Sequence, residues 1–159
     1  MSKTLLSMTL TTLLIAAGTA AAIEQRPVLT LEVAKKMAAA CEARAKQEGW
    51  KMIIAILDSG GNLKHFSRMD DSFLKSIEIA QLKAATSAGL PFSSKQIGEI
   101  AAKVPGIAFV PGIVTFEGGL PIMTADNKHI GSIGVSGASA EQDGTCAQVG
   151  LDAVKNDLK

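Results

Sequence analysis

The sequence predicts an α/β (α+β) fold, an antiparallel sheet with helices packed on its faces. Three observations predict it. Apolar residues recur at helical spacing in the segments 30–48, 72–88 and 140–156. Two pairs of short apolar runs are each joined by a tight polar turn, at 58–62 and 125–128. The resulting order is helix, two strands, two helices, two strands, helix, and hairpins separated by helices build antiparallel sheets.

The first helix has Thr30 as its cap. Ala34, Met37, Ala38, Cys41 and Ala45 give the inner stripe, Lys35, Lys36, Glu42 and Lys46 mark the wet side, and Gly49 stops it. Met52 to Leu57 is an unbroken apolar run, the pattern of a central strand buried on both faces. Asp58-Ser59-Gly60-Gly61-Asn62 supplies the turn. The return strand, 63–69, alternates Lys64, Phe66 and Arg68 with Leu63, His65, Ser67 and Met69. Each of its faces is therefore mixed, neither fully core nor fully solvent.

The second helix is expected over 72–88, with Ser72 as cap and Phe73, Ile77, Ala80 and Ala84 as its stripe. Ser93 with Gln96 forms a capping box for a shorter helix ending near Lys103. Residues 104–119 carry Pro105, Gly106, Pro111, Gly112, Gly118 and Gly119 and so form no regular helix. Their apolar side chains, among them Ile107, Phe109, Ile113 and Phe116, press this segment against the body or a neighbouring subunit. A second hairpin follows, 120–124 and 129–135, whose Gly131 and Gly134 leave room for a helix or ligand. Ser139 with Gln142 caps the last helix, and Glu141 and Asp143 add favourable charge to its N-terminus.

Residues 1–22 read as a secretory signal peptide. Lys3 is the positive start, Leu5 to Ala17 the uncharged apolar core, and Ala20-x-Ala22 the small-residue cleavage site. The apolar run is shorter than the roughly 20 residues that span a bilayer. The mature chain, 23–159, is then one exported domain, periplasmic or extracellular. The whole chain has 16 basic and 15 acidic residues, so losing Lys3 leaves the two signs balanced. A neutral chain with no Tyr and one Trp offers neither a field for phosphate backbones nor a stacking ladder for bases. Nucleic-acid binding is excluded on that ground, and the mature chain holds no membrane span.

Cys41 and Cys146 match no zinc spacing. Both fall on the inner faces of terminal helices. Two buried thiols packing as small hydrophobes is the plainer reading, and a bridge between adjacent helices is the other.

Several motifs together resemble the GlcG/HbpS-like family, known for haem-binding and haem-degrading members. They are Ile56-Leu57-Asp58-Ser59-Gly60-Gly61-Asn62-Leu63, Arg68-Met69-Asp70, the run from Ser76 to Thr86, Gly118-Gly119-Leu120-Pro121-Ile122, and Ile130 to Gly137 followed by Glu141-Gln142-Asp143. The resemblance covers almost the whole mature chain. It implies a profilin-like, five-stranded antiparallel sheet, with residues 113–117 as the strand that the residues alone do not reveal. It also implies an exported small-ligand-binding protein, most simply one that binds or handles haem as a homo-oligomer, octamers included. Relatives beside cobalamin-processing and small-acid systems imply the alternative, an enzyme or accessory factor acting on a small organic acid or corrinoid. No catalytic residue transfers from the family.

The candidate ligand-binding residues are therefore weighed singly. His65 and His129 are the only imidazoles, and imidazole is a common axial ligand of haem iron; His65 is the metal candidate. Each is also read as an ordinary strand residue. No Cys-x-x-Cys or His-Glu-x-x-His pattern points to zinc. Arg68, at a strand end, suits a haem propionate or a small organic acid, against the plainer reading of a pair with Asp70, Asp71 or Glu78. Ser136 and Gly137 open a helix and offer backbone N–H groups to an anion, against the plainer reading of turn and cap. Asp58 is a turn residue.

Overall fold

The computed structural model describes residues 26–159. The signal-peptide reading of 1–22 lies outside those residues. Helix α1, Leu31–Glu48, starts where Thr30 accepts a hydrogen bond from the Val33 N–H and ends at Gly49, whose φ of 74° is the left-handed cap glycine tolerates. Strands β1, Ile53–Asp58, and β2, Leu63–Arg68, form the first hairpin. Helices α2, Ser76–Gly89, and α3, Ser94–Lys103, follow, then a 3-10 segment at Pro105–Phe109. Strands β3, Gly119–Met123, and β4, His129–Ser136, lead to helix α4, Ala140–Val154, opened by the Ser139–Gln142 capping box.

The four strands make one antiparallel sheet in the order β2-β1-β4-β3. Helices α1 and α4 pack together on one face, where Met37, Cys41, Ile54, Ile56, Ile133, Val135 and Ala147 form the larger core. Helix α2 lies on the other, over β4, β1 and β3, where Ile53, Ala55, Leu57, Ala80 and Ala84 close a smaller core. Both faces of β1 are thus covered, which is why its sequence is an unbroken apolar run.

Gly134 shows how closely α2 sits. A Cβ there would fall 2.1 Å from the Ala80 carbonyl oxygen. Gly134→Ala is expected to push α2 off the sheet and to cost about 1–3 kcal/mol of unfolding free energy, as overpacking does. Urea unfolding checks this; an unchanged midpoint would mean that helix and sheet do not touch there.

The structure corrects three expectations. The sheet has four strands, not five, among the described residues. Residues 113–117 form no strand because side chains of α2 and α3 take their backbone bonds. Val114 donates to Thr86 Oγ at 2.9 Å, and Phe116 O accepts from Ser94 Oγ at 2.7 Å. Second, Ser72 does not cap α2, and Phe73 is exposed. A positive φ at Asp71 turns the chain there, so the Ser72 hydroxyl donates back to Met69 O at 2.7 Å and the helix begins at Ser76. Third, Cys41 and Cys146 are joined in a disulfide, Cα–Cα 4.8 Å, rather than packed as thiols.

Candidate functional site

An apolar groove lies between the C-terminal half of α2, helix α3 and the 3-10 segment. Its volume is about 530 Å³. Ala85, Leu90, Ile97, Ile100, Ile107 and Ile113 line it. The sequence builds it simply: the Ser93 capping box starts α3 in register, so Ile97 and Ile100 face inward, and proline and glycine keep 104–112 irregular enough to fold over as the third wall. Thr86 is the polar side chain in the lining, and its hydroxyl is already used, donating to Leu82 O and accepting from Val114 N. Phe109 stands at 83% exposure on the 3-10 segment that forms one wall.

Beyond the groove, a buried ion pair ties α2 to α4 beside Phe116. Lys83 of α2 and Asp143 of α4 meet at 2.7 Å with both side chains almost wholly out of solvent. Lys83 Nζ also donates to Val135 O at 3.0 Å and lies 4.8 Å from the centre of the Phe116 ring. Asp143 Oδ1 accepts from the Ala138 N–H at 3.0 Å. Burial pushes the Lys83 ammonium below its usual pKa and the Asp143 carboxyl above its own, and each partner's charge works against both shifts. Gly118, with φ 127°, is required beside this pair, since a Cβ would fall 2.6 Å from Lys83 Nζ. With no solvent access, the pair organises structure rather than reacting.

The residues singled out from sequence fall in separate places. His65 sits half-buried on β2, opposite Ile56. His129 starts β4 opposite Met123, and its Nε2 is buried without a hydrogen-bond partner. Ile56 pairs with His65 on one side and Ile133 on the other, four residues along β4 from His129, so the imidazoles do not converge. Neither lines the apolar groove. No group of three or more His, Cys, Asp or Glu that could hold a metal occurs among the described residues.

Arg68 and Ser136 do share a row, since Ile53 of β1 pairs with both. Arg68 is exposed and makes no ion pair with Asp70, Asp71 or Glu78; Glu78 pairs with Lys75, and Arg68 Nε donates to Ser72 Oγ at 3.4 Å. Ser136 is buried, and the N–H groups that follow it serve the chain's own anion: Ala138 donates to Asp143, and the Gly137 N–H acts on the same carboxylate. The anion cradle read at 136–140 is thus filled from within. Sequence reasoning missed the Lys83–Asp143 pair and the groove. The signal for the pair was present, because Lys83 interrupts the stripe between Ala80 and Ala84.

Residues 29–152 match the family model described as haem degrading protein HbpS-like. The chain belongs to this family. Protein GlcG of Escherichia coli is 34% identical over 116 residues, covering 72% of this chain and 85% of that protein. The crystal structure of HbpS superposes with a TM-score of 0.78 at 31% identity, covering 83% of this chain and 94% of the other. A crystal structure of a PduOC–heme complex does so at 0.73 and 27% identity, covering 80% and 95%. Membership matches the resemblance read from the motifs.

The family implies haem, and the chain fits one half of what haem needs. Haem is a flat, mostly apolar ring whose iron takes a protein ligand. The groove has the apolar walls and the volume for such a ring. It contains no imidazole, thiolate or thioether, and its one hydroxyl is spent. The walls fit the ring; the iron ligand is not supplied from within the groove.

Proposed function

We propose that this is an exported haem-binding protein, handling haem as a homo-oligomer. The observation that carries the reading is the apolar groove of about 530 Å³ in a chain of the haem-degrading family. The known heme complex of a similar fold supports it. Export is supported by the leader-like N-terminus and by the Cys41–Cys146 disulfide, a bond that persists in oxidising compartments. Assembly is supported by Phe109, Phe73 and Leu74, large apolar side chains at 83%, 71% and 77% exposure. Because neither imidazole lines the groove of its own chain, ligation of groove-bound iron by His65 or His129 calls for a neighbouring copy.

Haemin titration of the exported protein, followed at the Soret band, tests the reading. Saturable binding with a shifted band is expected. Ile100→Glu, which places a charge in the groove wall, weakens it by at least about tenfold. Absence of saturable binding overturns the haem reading, and undiminished binding by Ile100→Glu overturns the groove as its site. His65→Ala and His129→Ala then locate the axial ligand. Intact mass of the exported chain tests the leader, and sizing of Phe109→Ser tests the assembly surface.

A further inference from the structure

We infer a second binding site, for a small dicarboxylate, in the polar cleft where α1 ends and β2 ends. The cleft is about 270 Å³, and Lys46, Lys51 and Arg68 bring three cations to it from three segments: the last turn of α1, the link into β1, and the end of β2. None of the three has an ion-pair partner among the described residues. Lys35, Lys36, Arg44, Lys75, Lys83, Lys95 and Lys128 are each paired. Lys64, Lys103, Lys155 and Lys159 are not paired among the described residues, but none of them lines this cleft, so its mark is three unpaired cations brought together.

Two carboxylates also line the cleft. Glu42 is committed, accepting the Ser67 hydroxyl, and Asp70 is exposed at the end of the hairpin. Three cations against two acids leave a local positive surplus in a protein whose overall charge is nearly zero. Arg68 is also held in place. Its Nε donates to Ser72 Oγ, and Ser72 donates to Met69 O, so the guanidinium is fixed by its inner nitrogen. Its two outer nitrogens form the fork that receives a carboxylate by paired hydrogen bonds. The two lysines supply point charges for a second carboxylate across a cleft smaller than those that take drug-sized ligands. A short-chain dicarboxylate matches these features in charge and in size. The carboxylates have two sources, a free organic acid or the propionates of haem. The cleft and the apolar groove share no lining residue, and that favours the free acid.

Calorimetric titration with succinate as the probe, at fixed ionic strength, tests the site. Saturable binding is expected, weakened by about tenfold or more in Arg68→Ala and in Lys51→Ala, with acetate binding more weakly. Both substitutions are at exposed positions, and an unchanged thermal midpoint shows that each variant is folded. Succinate binding that leaves haemin affinity unaltered supports the free acid. Haemin that displaces succinate, and binds less tightly to Arg68→Ala, supports the carboxylate site while assigning it to propionates. No succinate binding, or binding indifferent to both substitutions or matched by phosphate, overturns the inference. Failure of haemin to bind at all leaves the succinate result standing, so the two readings fail separately.

Discussion

Replacing Cys41 and Cys146 together by alanine lowers the unfolding free energy by about 4–5 kcal/mol. The bond joins residues 105 apart, tying α1 near the start of the fold to α4 near its end. Cross-linking so long a loop restricts the unfolded chain, and the chain-entropy account gives about 4.7 kcal/mol for a loop of roughly 100 residues. Small domains have only about 5–15 kcal/mol in total, so this one covalent bond is a large share. Each single replacement also breaks the cross-link. Cys41→Ala, Cys146→Ala and the double variant are therefore expected to lose nearly equal amounts in urea unfolding, the mark of one shared interaction. Two small and additive losses would show that the sulfurs contribute only as packed atoms. The cost falls on the α1–α4 layer, the larger of the two cores, and leaves the α2 face without a direct contact to lose.

That bridge also shows how far the sequence could be read. Helical spacing placed both cysteines on the inner faces of terminal helices, and they are buried there. Spacing does not say how two helices slide along each other, and a shift of one turn separates bridged sulfurs from packed thiols. The hairpins, caps and glycine stops were legible because they are set by bonds within a few residues: Thr30 to Val33, Ser93 to Gln96, Ser139 to Gln142. Expectations failed where distant groups intervened. Residues 113–117 have strand-like composition, but Thr86 and Ser94, from two other helices, take their backbone bonds. Asp143 reads as a helix N-terminal charge, and only the fold brings Lys83, 60 residues earlier, against it. Arg68 was legible as a residue of interest. Lys46 and Lys51 were not, since nothing local links them to it.

Lys83→Met and Asp143→Asn are each expected to cost about 3–5 kcal/mol, the range for breaking a buried pair by removing one partner. The reason is the group left behind. In Lys83→Met a carboxylate remains out of solvent with the Ala138 and Gly137 N–H groups and no cation. In Asp143→Asn an ammonium remains against Val135 O and the Phe116 ring, with only the more distant Glu117 carboxylate to offset it. The double variant removes both charges while asparagine keeps an oxygen for the Ala138 N–H, so it should be more stable than either single variant. A coupling of at least about 2 kcal/mol in the cycle is expected. If a single variant does not fold, a folded double variant carries the same conclusion.

pH provides an independent readout. In Lys83→Met, burial still raises the Asp143 pKa, with no cation to oppose it. The folded state then holds a proton that the unfolded state releases, so stability falls as pH rises through the folded-state value. The deficit of Lys83→Met should therefore be largest at neutral pH and shrink toward the ordinary carboxylate value of 3.8. A deficit flat with pH would mean that Asp143 has found water or another partner. The consequence for function follows from position. Lys83 holds Phe116 and the Gly118 turn, and Ile113, three residues before Phe116, is a wall of the apolar groove. Loosening the pair should weaken haemin binding in the single variants and restore it in the double variant, in step with stability.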